Sequence, residues 1–305
     1  MGLFDKLFGK GKTDETKPGE KENIVRADSA DSMENQDTSG AKPQPGSKDI
    51  IDMMVMMADM AMDRGDYAAA ADQYKNILKL EPNETAQYNL GSLYAQGKGV
   101  EQDFMEGAYW FRQAELGGDE QAGKLCLKCS LDFTHQNFDQ KSPEQLYTDM
   151  VRFVKHVYPE IANADLEVCR KLYAIAGNHF NKKEYAAAAK LFRAAAEFGE
   201  DGYSQNYLAV LYNAGAGVEK NDLAALYWFD KAVDNGAADI ALKDRDGILN
   251  AYKTNFSPAE FFEEMMKLSG WCSIGSEDVP KNAAKAAYWR EIGERGAVQK
   301  SGKES

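Results

Sequence analysis

The chain is poor in the residue types that metal and redox chemistry use. Its 305 residues hold three histidines and four cysteines, and of the cysteines only Cys126 and Cys129 stand close together. A structural zinc site takes four such ligands. A lone C-x-x-C with His135 six residues on, and with His156 and His179 distant, does not supply them, so no metal is expected. A redox C-x-x-C needs a thioredoxin-like strand–helix setting, whereas the pattern around this pair is helical; the two are read as buried thiols on a helix. Basic charge is short as well: 36 Lys and Arg face 49 Asp and Glu, a net charge of −13. Such a body is repelled by phosphate backbones and anionic lipid, which argues against nucleic acid and for basic or apolar protein surfaces as partners. No apolar run approaches the ~18–20 residues of a membrane helix, and no long apolar stretch near Met1 resembles an export signal. Reduced thiols in a cytoplasmic compartment are therefore expected. G-x-S-x-G, H-E-x-x-H and a recognisable acid–base carboxylate pair are also missing, so no catalytic residue and no cofactor are assigned.

What is present begins with a short amphipathic segment. Residues 1–10, MGLFDKLFGK, put Leu3, Phe4, Leu7 and Phe8 on one side of a short helix. Four large apolar side chains give only weak, reversible attachment to a membrane surface, so the stripe is read as a docking element for lipid or protein. Gly2 sits where a myristoylated chain carries glycine, but Lys6 occupies the position that signal gives to Ser or Thr. Residues 11–49 are rich in Lys, Glu, Asp, Ser, Gly and Pro and cannot bury enough surface to offset their ordering entropy; they read as a disordered linker.

From about residue 50 apolar residues recur at three- and four-residue spacing, and the segment repeats itself. DYAAAADQY (66–74) returns as EYAAAAKLF (184–192), NLGSLYAQGKGVEQ (89–102) as YLAVLYNAGAGVEK (207–220), and AYWFRQA (108–114) as LYWFDKA (226–232), each 118 residues on. SPEQLYTDMVR (142–152) answers to SPAEFFEEMMK (257–267) at an offset of 115. VEKNDLAALYW (218–228) reappears as VPKNAAKAAYW (279–289), with Gly275 as the nearest remnant of a glycine loop. Gly97 and Gly215 stand where a helix should end in the left-handed conformation. Asp103, Asn221 and Asn282 align as N-caps, and Trp110, Trp228 and Trp289 fall two turns beyond them. Ser142-Pro143 and Ser257-Pro258 supply a cap and an N1 proline for a further helix in each unit.

The series Leu90-Gly91, Tyr94, Gly97-x-Gly99-Val100, Asp103, Ala108, Trp110 resembles a Sel1-like repeat. So does Leu208, Tyr212, Gly215-x-Gly217-Val218, Asn221, Trp228, with Ala209 in place of a glycine. Before each lies a hairpin similar to a tetratricopeptide repeat: Ala58, Gly65, Tyr67, Ala70, Tyr74 and Pro82 in the first, Ala176, Tyr185, Ala188 and Phe192 in the second, with Glu200 in place of the proline. The resemblance, of bacterial type, implies an all-α fold: a right-handed α/α solenoid of stacked helical hairpins behind the disordered N-terminal segment. The expected divisions are 1–10 (amphipathic helix), 11–49 (linker), 50–172 (first unit), 173–297 (second unit with a partial C-terminal Sel1-like repeat) and 298–305 (tail).

Two features compete with that reading. Gly118-Asp-Glu-Gln-Ala-Gly123-Lys124 has P-loop spacing, but Leu125 stands where Ser or Thr should hold Mg²⁺, and a helix rather than a strand precedes it. Met53, Met54, Met56, Met57, Met60 and Met62 crowd the first helix. Met54 and Met57 fit a core; Met53, Met56 and Met60 would face outward, either as a simply exposed cap or covered by a partner, by self-association with a second copy, or by the LFDKLF segment.

The resemblance implies a non-enzymatic scaffold or adaptor that binds a protein or peptide in a groove lined by the first helix of each hairpin. The groove positions would be Tyr88, Asn89, Ser92 and Gln96, then Arg170 and Tyr173, then Asn206, Tyr207 and Asn213. Amides and tyrosines suit an extended peptide, and the scarcity of Lys and Arg there argues against a carboxylate clamp. Two alternatives stay open: a membrane-surface adaptor tethered by residues 1–10, which would place the protein at the inner membrane face, and a hydrolase on a Sel1-like scaffold.

Overall fold

A computed structural model describes residues 47–301 of the chain. Residues 1–10 with Leu3, Phe4, Leu7 and Phe8, the linker as far as residue 46, and the end of the tail from residue 302 lie outside the described residues.

Among the described residues every regular element is helical. In chain order these are α1 (Ser47–Asp63), α2 (Tyr67–Leu80), α3 (Glu84–Gln96), α4 (Phe104–Gly117), α5 (Glu120–His135), a single 3₁₀ turn (Phe138–Gln140), α6 (Pro143–Val157), α7 (Ala164–Asn181), α8 (Tyr185–Phe198), α9 (Gly202–Ala214), α10 (Asp222–Asp234), α11 (Ala238–Asn255), α12 (Pro258–Ile274) and α13 (Ala283–Ser301). Neighbours in sequence pack as neighbours in space: α1 on α2, α3 on α4, α7 on α8, α9 on α10 and α12 on α13. This is a solenoid, in which each hairpin is too thin to bury its own apolar face and does so against the next. None of the described helices is long and apolar enough to cross a membrane.

The helix ends follow the expected chemistry. Gly97 (φ 65°) and Gly215 (φ 64°) close α3 and α9 in the left-handed conformation. Lys98 N–H then donates to Leu93 O at 3.0 Å, and Ala216 N–H to Leu211 O at 3.0 Å. Asp103, Asn221 and Asn282 accept from backbone N–H groups in the first turns of α4, α10 and α13. The backbone N–H of each also clasps the end of the preceding helix, at Tyr94, Tyr212 and Cys272. Ser142 and Ser257 both form full capping boxes, with Gln145 and Glu260.

Gly99 and Gly217 have a sharper role than loop freedom. A Cβ on Gly99 would stand 2.2 Å from the Tyr67 carbonyl carbon, and one on Gly217 would stand 2.3 Å from Ala186 N. The glycine loop of each Sel1-like hairpin is thus pressed onto the first turn of the helix before it, α2 or α8. Lys98, between the two glycines, lies over the Tyr67 ring, 5.3 Å from its centroid. The P-loop-like residues make no loop: Gly118 ends α4, and Gly123 and Lys124 lie inside α5.

The third hairpin differs from expectation. Sequence comparison gave the helix begun by Ser257-Pro258 and a partial repeat after it as separate features, yet α12 and α13 form a complete hairpin, closed by Gly275 at φ 87°. Asp278, in its loop, ties it to the second repeat. The carboxylate accepts from Tyr212 Oη (3.0 Å) and Asn221 Nδ2 (2.8 Å), and the backbone carbonyl accepts from Trp228 Nε1 (2.9 Å). Deeper, the Asp230 side chain is 3% exposed; it pairs with Arg245 Nη1 at 3.0 Å and with Lys285 Nζ, which also meets Asp234 at 2.6 Å.

The two units meet at the histidines. His135, the last residue of α5, faces His179 of α7 with Nε2 atoms 2.9 Å apart, and His179 Nδ1 lies 2.6 Å from Glu184. Lys190 Nζ donates to the Phe138 carbonyl at 2.6 Å beside them. Burial, then the His179 ring, hold the His135 pKa below its usual value, against the pull of Asp132 and Glu184 and with Lys182 adding to the depression. A depressed pKa means that the unfolded chain takes up the proton first as pH falls below about 6.5, so stability is lost in that direction. Thermal unfolding followed between pH 7 and pH 5 is expected to fall less steeply in His135→Ala than in the wild type. Parallel slopes would remove the histidine pair from the pH dependence.

Candidate functional site

Three clefts are lined by residues of α3, α5, α7 and α9 and their N-caps. The first, about 450 Å³, is lined by Glu84, Thr85, Tyr88, Asn89, Asp119 and Gln121. The second, about 280 Å³, lies between α5 and α7, with Leu127, Ser130 and Leu131 facing Arg170, Ala174, Ile175 and Asn178. The third, about 390 Å³, is formed by Leu166, Cys169, Arg170 and Tyr173 of α7 with Asp201 and Tyr203 at the start of α9. Arg170 lines both the second and the third, so these two are continuous.

The amides and tyrosines expected on this face are placed differently in the two units. Tyr88 and Asn89 are half-buried in the first cleft. Asn89 Nδ2 donates to Tyr74 Oη at 2.9 Å, and Tyr74 in turn donates to Asp59 at 2.6 Å. Burial first, and Asp59 second, push the Tyr74 hydroxyl up, which keeps it a donor. Arg170 reaches into the second and third clefts with its side chain 72% exposed, near Glu167. Ser92, Gln96 and Asn213 are accessible but line none of the three clefts.

Asn206 and Tyr207 do not face a groove. Asn206 is fully buried and Tyr207 is 4% exposed, so neither offers surface to a partner. The reason lies in the duplication, which sets Tyr88 opposite Asn206 and Asn89 opposite Tyr207. Tyr74 of the first unit becomes Phe192 in the second, and Tyr207 stacks on it with centroids 4.9 Å apart and planes 10° from parallel. Phe180 and Tyr173 close on Tyr207 edge-on. An aromatic cluster thus replaces the polar Asp59–Tyr74–Asn89 chain.

The residues that sequence reasoning missed are apolar: Leu127 (54% exposed), Leu166 (51%) and Tyr203 (49%) stand open along the second and third clefts. Their signal was present as large apolar residues on the polar side of amphipathic helices. The four cysteines are all reduced and buried. Burial pushes the Cys129, Cys169 and Cys272 thiols up to about 12, so none is a ready nucleophile. Among the described residues no group of three or more His, Cys, Asp and Glu is placed to hold a metal ion.

Two helices, a glycine of positive φ after the first, a capped second helix and a tryptophan two turns into it, repeated three times, define one structural unit. The sequence profile of the Sel1 repeat matches residues 85–119, 202–236 and 265–289.

The chain carries three Sel1 repeats.

The first two matches cover α3–α4 and α9–α10, and the third bridges α12 and α13, two helices that the internal comparison had not joined into one hairpin. No curated protein matches the chain. Among solved structures it is similar to a Sel1 repeat protein from Oxalobacter formigenes, at 20% identity over 80% of this chain and 84% of that one, with a TM-score of 0.24. It is also similar to c5321, a protective antigen present in uropathogenic Escherichia coli strains displaying an SLR fold, at 19% identity over 81% of this chain and 54% of that one, with a TM-score of 0.25. The chain thus spans about half the length of the second protein. Sel1-repeat proteins generally mediate protein–protein interaction, and the clefts of this one lie on the first helices of its hairpins.

Proposed function

We propose that this Sel1-repeat protein is a non-enzymatic adaptor that binds an extended peptide or protein segment along α3, α5, α7 and α9. The observation that carries the reading is the pairing of exposed apolar side chains with fixed polar ones in adjoining clefts. Leu127, Leu166 and Tyr203 offer contact area, while Arg170 and the Tyr88–Asn89 pair offer directed hydrogen bonds. Interfaces draw most of their energy from such aromatic and arginine anchors in semi-enclosed pockets. The first cleft carries Glu84 and Asp119 with no cation, so the bound segment has a basic residue at that end. The net charge of −13 favours the same kind of ligand.

Peptides selected against the full chain from a random display library test this reading. Leu166→Asp and Tyr203→Asp are each expected to weaken the selected peptides about tenfold or more. Both side chains are half-exposed, so helical content and unfolding temperature should stay at wild-type values. Peptides that bind both variants as well as the wild type would place the binding face elsewhere.

A further inference from the structure

Helix α1 (Ser47–Asp63) opens the described solenoid, and one of its faces is apolar and uncovered. Ile50, Met53, Met56, Met57 and Met60 are between 40% and 57% exposed. Met57, expected in the core, is among them, while Met54 is half-buried and fits the core as expected. Ile50, Met53, Met57 and Met60 recur at steps of three and four and form one continuous stripe.

The duplication shows how three positions of such a stripe are covered; the fourth, Met60, answers to Asn178, which is exposed. Ile50, Met53 and Met57 correspond to Val168, Lys171 and Ile175 of α7. In that second copy the positions are covered: Val168 is fully buried, Ile175 is 3% exposed, and the Lys171 side chain is 11% exposed. The cover comes from the preceding unit. Helix α6 packs on α7, and Leu127 and Leu131 of α5 stand across a narrow cleft from Ile175. Tyr158, just past α6, accepts from Lys171 Nζ at 2.9 Å. In the first copy the stripe is more apolar, and no described helix comes before it.

We propose that residues 1–10 of the same chain cover α1, with Leu3, Phe4, Leu7 and Phe8 laid on Ile50, Met53, Met57 and Met60 in the place that α5 and α6 take on α7. Three observations favour this occupant. Reach is the first. The 36 residues from 11 to 46 are polar in sequence; a flexible chain of that length would have an r.m.s. span of about 33 Å, and α1 is about 25 Å long, so such a chain would let the segment lie anywhere along it. A tether of this kind sets a local concentration of order mM, at which a contact too weak to hold two molecules together is occupied within one. Charge is the second. Helix α1 carries Asp49, Asp52, Asp59 and Asp63 against Lys48 alone, whereas residues 1–12 carry Lys6, Lys10 and Lys12 against Asp5 alone. The third is the weakness of the rival. A second copy docked through α1 would set one acidic helix against another, over a strip one helix wide, where stable dimers bury ~1,200–2,000 Å² in total.

Methionine oxidation reads the cover directly, because peroxide reaches only accessible thioethers. In the full-length wild type, Met53, Met57 and Met60 are expected to form sulfoxide several-fold more slowly than in a variant carrying Leu3→Asp, Phe4→Asp, Leu7→Asp and Phe8→Asp. Both proteins should sediment as monomers, and dilution should not change the wild-type rates. Met150 (1% exposed) and Met265 (fully buried) should stay slow in both and report that the solenoid is intact. Equal rates for the α1 methionines in the two proteins would overturn the proposal. Protection lost on dilution, or found only together with a dimer, would overturn it in favour of a second copy of the chain.

Discussion

Asp230→Ala is expected to cost about 3–5 kcal/mol, the largest loss from any single change to a polar side chain in this protein. The Asp230 side chain is 3% exposed and holds two cations at once, Arg245 on α11 and Lys285 on α13. Alanine would leave both beside a void with only their outer partners, Asp246 and Asp234, which are about half-exposed. The price of a buried ion pair is the removal of charge from water, and one partner left alone still bears that cost. Burial alone would lower the Lys285 pKa, but its bonds to Asp230 and Asp234 outweigh that and raise it. The contribution of Lys285 is therefore fully present below the unfolded lysine value of about 10.4 and fades only as pH rises through the folded one. Urea unfolding followed by circular dichroism at pH 7 should show a much lower midpoint, and Asp230→Ala with Lys285→Ala should recover part of the loss. A midpoint within error of the wild type would mean that water screens the cluster.

Gly217→Ala is expected to cost about 2–5 kcal/mol, from left-handed strain and overpacking together. The residue sits at φ +72°, and a Cβ there would lie 2.3 Å from Ala186 N and from the Tyr185 carbonyl carbon. Both are backbone atoms of the first turn of α8 and cannot swing aside as a side chain would. Gly247→Ala should act in the opposite sense. Gly247 lies within α11, where nothing stands within 4 Å of an added Cβ, and alanine there is expected to stabilise by about 0.5–1 kcal/mol. Measured side by side, the two substitutions separate close approach from general helix propensity. Equal effects would mean that the loop of the second repeat is free to move off α8.

Much of this architecture was legible in the chain because its causes are local. A glycine that must turn left-handed, an Asp or Asn that must cap and a proline at N1 act within one turn, and all stand where the repeats put them. The third hairpin was less visible as a hairpin because its loop keeps only Gly275 of the glycine pair. The positions expected to line a groove are only half-buried at Tyr88 and Asn89 in the first unit and are buried at Asn206 and Tyr207 in the second. Asn206 and Tyr207 occupy the positions of Tyr88 and Asn89, but which neighbour faces outward is decided by residues far away in sequence: Tyr74 with Asp59 in one copy, Phe192 with Tyr173 and Phe180 in the other. The same holds for Asp230, which stands where the first unit has Arg112. Its meaning depends on Arg245 and Lys285, fifteen and fifty-five residues away.

The placement of the four buried thiols has a practical consequence. Cys126 and Cys129 lie in α5, Cys169 in α7 and Cys272 in α12. Each is silent toward an alkylating reagent until its own stretch of the superhelix opens, and then it is marked irreversibly. In a stack where most contacts join one hairpin to the next, the ends can fray while the middle stays closed. The order in which the four become labelled is a record, written by the protein's own side chains, of where the stack comes apart first.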